Sequence, residues 1–349
     1  MIPYSPEQRF IIIRKIYSSP GNVLSLSELC AYAAVSRSGY YKWLDTIDER
    51  KQKEEKDRKD FDLILEAFQY RGYKKGARQI HMRLLRNKKP VRMNIKKIRR
   101  LMDKYGLKCP IRKVNPYRKL AKATYENKVA PNLLSRKFKA YGPRTILLTD
   151  ITYIPVSKSI DNKRFAYLSV IMDAFTKEIL AHVLSDNLKE DFVLETVRML
   201  IEKHGISLSA ETLIHSDQGV HYTSVKFSTL INNHALRQSM SRRGNCWDNA
   251  PQESLWGHMK DEVSDKLYAC NTVKQMIPVI DDWVDYYNND RYQWQLAKLA
   301  PAEYYKYVTT HEYPLKDTLP PQIPTFEDIK TVGQTAKSMS AEQDACHPG

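Results

Sequence analysis

Residues Thr145 to Val156 read TILLTDITYIPV, and the fold turns on how that segment is understood. β-Branched and aliphatic residues dominate it, the composition of a pleated, half-buried strand. Yet Asp150 stands at its centre, among Leu147, Leu148, Ile151 and Ile154. A carboxylate in such company costs several kcal/mol unless something answers its charge. Either a salt bridge or a sheet edge satisfies it, or a metal ion does.

Two more strand-like runs follow closely, RFAYLSVIMDAF (164–175) and EILAHVL (178–184), which together predict an antiparallel meander. KEDFVLETVRMLIEKHG (189–205) reads as a helix, TLIHSD (212–217) as a fourth strand and LRQSMS (236–241) as a fifth. APQESLWGHMKDEV (250–263) and TVKQMIPVIDDWVDYYNND (272–290) read as long helices. Strands with interspersed helices predict an α/β layered domain.

Upstream of Thr145 the pattern is helical and basic. Residues 6–16 form a short amphipathic helix, and SLSELCAYAAVSRSGYYKWL (25–44) shows two helical patterns around a tight corner. Ser25 or Ser27 caps the first and Ser36 the second. The outline is a helix-turn-helix or an ordinary helical hairpin. Residues 47–60 alternate in charge, as a solvated helix or linker does.

The chain of 349 residues carries a formal charge of +16, and its location matters more than its size. Residues 71–120 hold 19 Lys and Arg against one acid, Asp103, whereas the remainder holds 37 basic and 39 acidic residues. So local an excess favours a polyanion, through release of its counterions. Within it, MNIKKIRRLMDKYG (93–106) turns Ile95, Ile98, Leu101 and Met102 inward and Lys96, Lys97, Arg99 and Arg100 outward. Such a helix suits DNA phosphates more than base edges. Residues 110–145, with Pro110, Pro116, Pro131 and Pro143, read as a linker.

No run approaches the roughly 18 apolar residues of a membrane span, and MIPYSPEQRF lacks the layout of a secretion signal. The five cysteines are scattered without a C-x-x-C, which argues against a disulfide framework or structural zinc and suits a reducing cytosol.

Two other carboxylates invite comparison with Asp150. Asp217 lies in HSDQGVHYTS (215–224), just past the fourth strand, where strand ends converge on a crevice. Alone, it also reads as the start of an Asx turn before Gly219. Glu253 opens a helix, where an acid also answers the helix dipole. Three hard oxygen donors suit magnesium or manganese. His215 is either beside such ions or a satisfied core histidine. Lys260, two turns beyond Glu253 on one helix face, either holds a DNA phosphate or is a plain surface lysine. Asp173 is a spare carboxylate, ranked below these three, and Asp248 and Asn249 read as caps.

Taken together, TDITYI, HSDQGVHYTS, SRRGNCWDNAPQESLWGHMKDE and the 35 residues between Asp217 and Glu253 resemble bacterial insertion-sequence transposases of the IS-three family. RGYKKGARQIHMRLL, VSRSGYYKWL and DYYNNDRYQWQLAKLAPAEYY extend the likeness over about residues 1–307. The resemblance implies a ribonuclease-H-like, integrase-type catalytic core with a mixed five-stranded sheet and flanking helices, preceded by an all-α DNA-binding region. It implies five parts: an N-terminal helical, helix-turn-helix-like region (1–57), a basic helix-turn-helix domain (58–120), a linker (121–143), the catalytic domain (144–307) and a polar tail (308–349).

It further implies that Asp150, Asp217 and Glu253 form a DDE triad holding two Mg²⁺ or Mn²⁺ ions, and that Gly219, Tyr222, Thr223, Asn249 and Lys260 support the site or substrate. The implied activity is cleavage at transposon-end inverted repeats followed by strand transfer into target DNA. Alternatives are a catalytically silent DNA-binding regulator and a simple metal-dependent nuclease. Partners are then DNA, a second copy on that DNA and an upstream-frame protein, in the cytoplasm at the nucleoid. One departure shows: Leu147 occupies the position where the family usually has tryptophan.

Overall fold

The computed structural model describes residues 4–109, 142–156, 165–217, 219–240 and 250–315. Helices α1 (Pro6–Tyr17), α2 (Leu26–Tyr32) and α3 (Arg37–Asp45) make a small N-terminal bundle. Ser25, not Ser27, caps α2, and its hydroxyl accepts from the Glu28 amide while Glu28 reaches back to the Ser25 amide. Ser36 caps α3 as expected.

The charged stretch after residue 46 is no linker: α4 (Ile47–Gln69) runs unbroken across position 57. With α5 (Ala77–Leu84) and α6 (Ile95–Lys104) it encloses a core of Phe61, Ile64, Ile80, Leu84, Ile98 and Leu101. Most of the proline-bearing segment read as a linker lies outside the described residues.

A five-stranded sheet follows, ordered β3-β2-β1-β4-β5. Its strands are β1 (Ile146–Pro155), β2 (Phe165–Asp173), β3 (Ile179–Ser185), β4 (Leu213–Ser216) and β5 (Arg237–Met240). β1, β2 and β3 form the expected antiparallel meander, while β4 runs parallel to β1, and β5 parallel to β4. One face carries α7 (Asp191–His204) and α8 (Val225–Asn233), packed around Leu147, Ile171, Leu200, Ile214 and Phe227. α8 is absent from the sequence reading, although Ser224 caps it. The other face carries α9 (Ala250–Tyr268) and α10 (Val273–Asn289), packed around Leu148, Leu168, Leu255, Met259, Ile280 and Trp283.

The ordered chain continues past position 307. α11 extends over Pro301–Thr310, and Tyr313 and Leu315 bury against Phe175, Leu299 and Tyr304. Among the described residues no helix is long and apolar enough to cross a membrane.

The helical half docks onto the sheet half through charge and rings. Arg71 meets Asp282 at 2.7 Å, Asp285 at 2.7 Å and Asp290 at 2.9 Å. Tyr73 stacks on Tyr286 with ring centres 4.1 Å apart and donates to Asp282. Arg86 reaches Glu303 at 2.7 Å. Part of the cationic block is therefore answered within the molecule.

Candidate active site

β1 and β4 pair in parallel with Leu148 opposite His215, so the same register continued sets Asp217 level with Asp150. Adjacent strands lie about 4.8 Å apart, which makes Asp150, midway along β1, and Asp217, just past β4, neighbours. Residues two apart share a sheet face, and Leu148 packs against Leu255 and Trp256 of α9, so Asp150 looks toward that helix. Glu253 occupies the first turn of α9, one turn before Trp256, whose indole Nε1 donates to Asp150 Oδ2 at 2.9 Å.

The electrostatics report the same proximity. Burial pushes the Asp150 carboxyl up to about 6; hydrogen bonds from Trp256 and the Ile151 amide pull it back in part, and the negative charges of Asp217 and Glu253 push it up again. None of the three acids forms a salt bridge among the described residues. Three hard oxygen donors with no ion-paired cation among the described residues suit a divalent cation by their chemistry. The side chains do not yet enclose one: among the described residues no three His, Cys, Asp or Glu groups are gathered to hold an ion. Asp217 Oδ1 accepts from the Gly219 amide at 2.9 Å, the Asx turn that the sequence also offered.

The supporting residues divide. A Cβ at Gly219 would stand 2.9 Å from Asp217 Oδ1, so a larger residue there would displace that carboxylate. Tyr222 is fully buried on the opposite sheet face, its hydroxyl 3.4 Å from Thr149 Oγ1 beneath Asp150. His215 is buried, with Nδ1 3.1 Å from Ser239 Oγ, the arrangement of a core histidine. Lys260 is exposed on α9, two turns from Glu253. Asn249 and Asp248 lie outside the described residues. Asp173 is excluded from this centre: it is fully buried, accepts from the Phe175 amide and Thr176 hydroxyl at 2.9 Å each, and pairs with Arg144. Leu147 is buried in the α7–α8 layer.

The residues missed in the sequence are Gln252 and Trp256. The buried Gln252 amide donates to Leu148 O at 2.6 Å, joining the start of α9 to β1. An amide and an indole flanking an acid at a helix start were the only signal.

Of the five cations of α6, three are engaged by acids of α4. Lys97 binds Asp60 at 2.5 Å, and Arg100 grips Asp57. Lys104 pairs with Glu54 and Asp57. Lys96 and Arg99 remain exposed, with no ion pair among the described residues.

Residues 54–114 match an HTH-like domain family, and residues 140–246 and 234–301 match integrase core domain families. InsK of insertion sequence element IS150 from Escherichia coli K12 is 30% identical over 282 residues, spanning 80% of this chain and 93% of that protein. Transposase InsF of insertion sequence IS3A from the same strain is 26% identical over 239 residues, 68% of this chain and 79% of its own length. Among solved structures, the HTLV-2 integrase catalytic core in complex with magnesium is 14% identical, covering 48% of this chain and 99% of that one with a TM-score of 0.36.

Proposed function

Because the chain belongs to the IS-three family of insertion-sequence transposases, with an HTH-like domain joined to an integrase core, we propose that it cuts transposon ends and joins them to target DNA. The observation that supports this reading is the register that sets Asp217 level with Asp150 on neighbouring strands, with Glu253 in the first turn of the helix whose Trp256 donates to Asp150. Those three carboxylates would hold Mg²⁺ or Mn²⁺, two ions per site. When bound, such a pair activates the attacking oxygen and stabilises the leaving one.

The chain's own part is placement. In this reading β1 and β4 would present Asp150 and Asp217 side by side, with Glu253 supplied from the first turn of α9. Above about pH 6 Asp150 is ionised, held by the Trp256 indole and the Ile151 amide, and a counter-cation would offset its remaining desolvation. Lys260 offers an ammonium to a phosphate along the same helix face, and Lys96 and Arg99 offer phosphate contacts from α6. In cleavage, a water oxygen bonds to phosphorus as the P–O3′ bond breaks and the 3′ oxygen leaves as a hydroxyl. In joining, that 3′ oxygen attacks a target phosphodiester and displaces another 3′ oxygen. Phosphodiester number is conserved in the second step, and no bond to protein forms. Synapsis of two ends calls for a second copy on DNA, and an upstream-frame partner fits the same scheme, in the cytoplasm at the nucleoid.

The test incubates the protein with candidate terminal inverted repeats, a target duplex and Mg²⁺. The reading expects covalently joined products. Hydrolysis without joining supports a nuclease instead, and tight binding with neither supports a silent regulator.

A further inference from the structure

α9 touches β1 at two points in its opening turns, and Glu253 lies between them. Gln252 donates to Leu148 O, and Trp256 Nε1 donates to Asp150 Oδ2. Trp256 is a large ring, 7% exposed, packed in the α9–α10 core. Packing alone would be served by any ring of that size. What only an indole adds is the N–H, and its partner is the central carboxylate of the site.

The Ile151 amide donates to the other oxygen, Oδ1, at 2.8 Å. The carboxylate is thus held by two donors, one from its own strand and one from the helix that carries Glu253. A carboxylate oxygen has two lone pairs, so each keeps one for a further ligand while the plane of the group is set. Groups that orient a ligating side chain in this way typically change metal affinity or activity 10- to 100-fold when removed.

We propose that Trp256 is a positioning residue of the reaction: its indole N–H fixes the Asp150 carboxylate in the plane that receives the divalent cation, and so couples the placement of α9 to the readiness of β1. This rests on the reading of Asp150 as part of the reacting centre.

The experiment compares the full-length parent with Trp256→Phe and Asp150→Asn, using Mn²⁺ alone as the binding probe and Mg²⁺-dependent cleavage as the second readout. Trp256→Phe keeps a ring and removes the donor. The expected result is Mn²⁺ binding weakened about 10-fold or more, with a matching rise in the Mg²⁺ needed for half-maximal cleavage and a smaller change in the rate at saturating Mg²⁺. If Trp256→Phe fails to fold, benzothienylalanine at position 256 keeps the shape of indole without the N–H and carries the same expectation. Unchanged Mn²⁺ affinity together with an unchanged Mg²⁺ requirement overturns the positioning role, even if Asp150→Asn is inactive. Cleavage retained in Asp150→Asn overturns the functional reading itself, whatever Trp256 does.

Discussion

Arg100 grips Asp57 with both terminal guanidinium nitrogens, at 2.6 and 2.8 Å, pinning the cationic face of α6 to the acidic face of α4. Lys97 on Asp60 and Lys104 on Glu54 extend that seam on either side. Only Lys96 and Arg99, of the four cations expected to meet DNA, are left exposed without an ion pair among the described residues.

DNA binding is predicted to follow this division. Each cation withdrawn from a phosphate lowers the slope of log affinity against log salt by about 0.9. Replacing Lys96 and Arg99 by alanine flattens the slope by roughly twice that amount. Replacing Lys97 and Arg100 instead lowers the melting temperature and leaves the slope nearly unchanged. Salt titrations of both pairs check this, and equal slopes for the two double variants contradict it.

Acid should dissolve the seam. The Arg100 bond, with help from Lys104, holds the Asp57 carboxyl well below the usual range. A depressed carboxylate contributes stability above its unfolded value near 3.9 and loses it as pH falls through the lower folded value. Asp57→Asn is therefore expected to melt below the parent at pH 7, with the gap shrinking below about pH 4. Thermal unfolding across that range decides it; a gap independent of pH contradicts the account.

Asp150 carries the opposite sign. Its folded value of about 6 lies above the unfolded one, so the metal-free fold loses stability as pH rises from about 4 through 6. At about 1.4 kcal/mol per pH unit, the cost above pH 6 is on the order of 2 kcal/mol once solvent screening is allowed for. Asp150→Asn should melt a few degrees above the metal-free parent at pH 8 and level with it at pH 4. Magnesium should raise the parent and not the variant. Equal melting at both pH values without metal contradicts this.

Arg71 joins the two halves by meeting Asp282, Asp285 and Asp290 together. Arg71→Ala leaves those carboxylates facing one another and should lower the melting temperature by a few degrees. Added salt should recover part of the loss, because it screens their repulsion. A variant that melts with the parent at low salt removes this junction from the stabilising contacts.

Much of the fold was legible because its signals are local. Apolar runs marked β1, β2 and β3, and serines marked the starts of α2 and α3 with their own hydroxyls. α8 is short, and its start at Ser224 continues the polar run HSDQGVHYTS, so its signal reduces to the Ser224 cap and to Phe227 and Ile231 at helical spacing. What stayed hidden depends on distant partners. The sign of the basic block was plain, but the acids that answer Arg71 lie over 200 positions away. Asp150 betrayed itself by being polar in an apolar strand. Trp256 did not, since an indole near a helix start reads as packing until its N–H is seen on a carboxylate 106 positions earlier.

The central claim is that Asp150, Asp217 and Glu253 act together on the scissile phosphate. It is tested most directly by Asp150→Asn, Asp217→Asn and Glu253→Gln, each assayed for Mg²⁺-dependent cleavage and for affinity to the same transposon-end duplex. The account predicts that every one abolishes cleavage while affinity stays within a few-fold of the parent. Mg²⁺-dependent cleavage surviving in any one of them would contradict it.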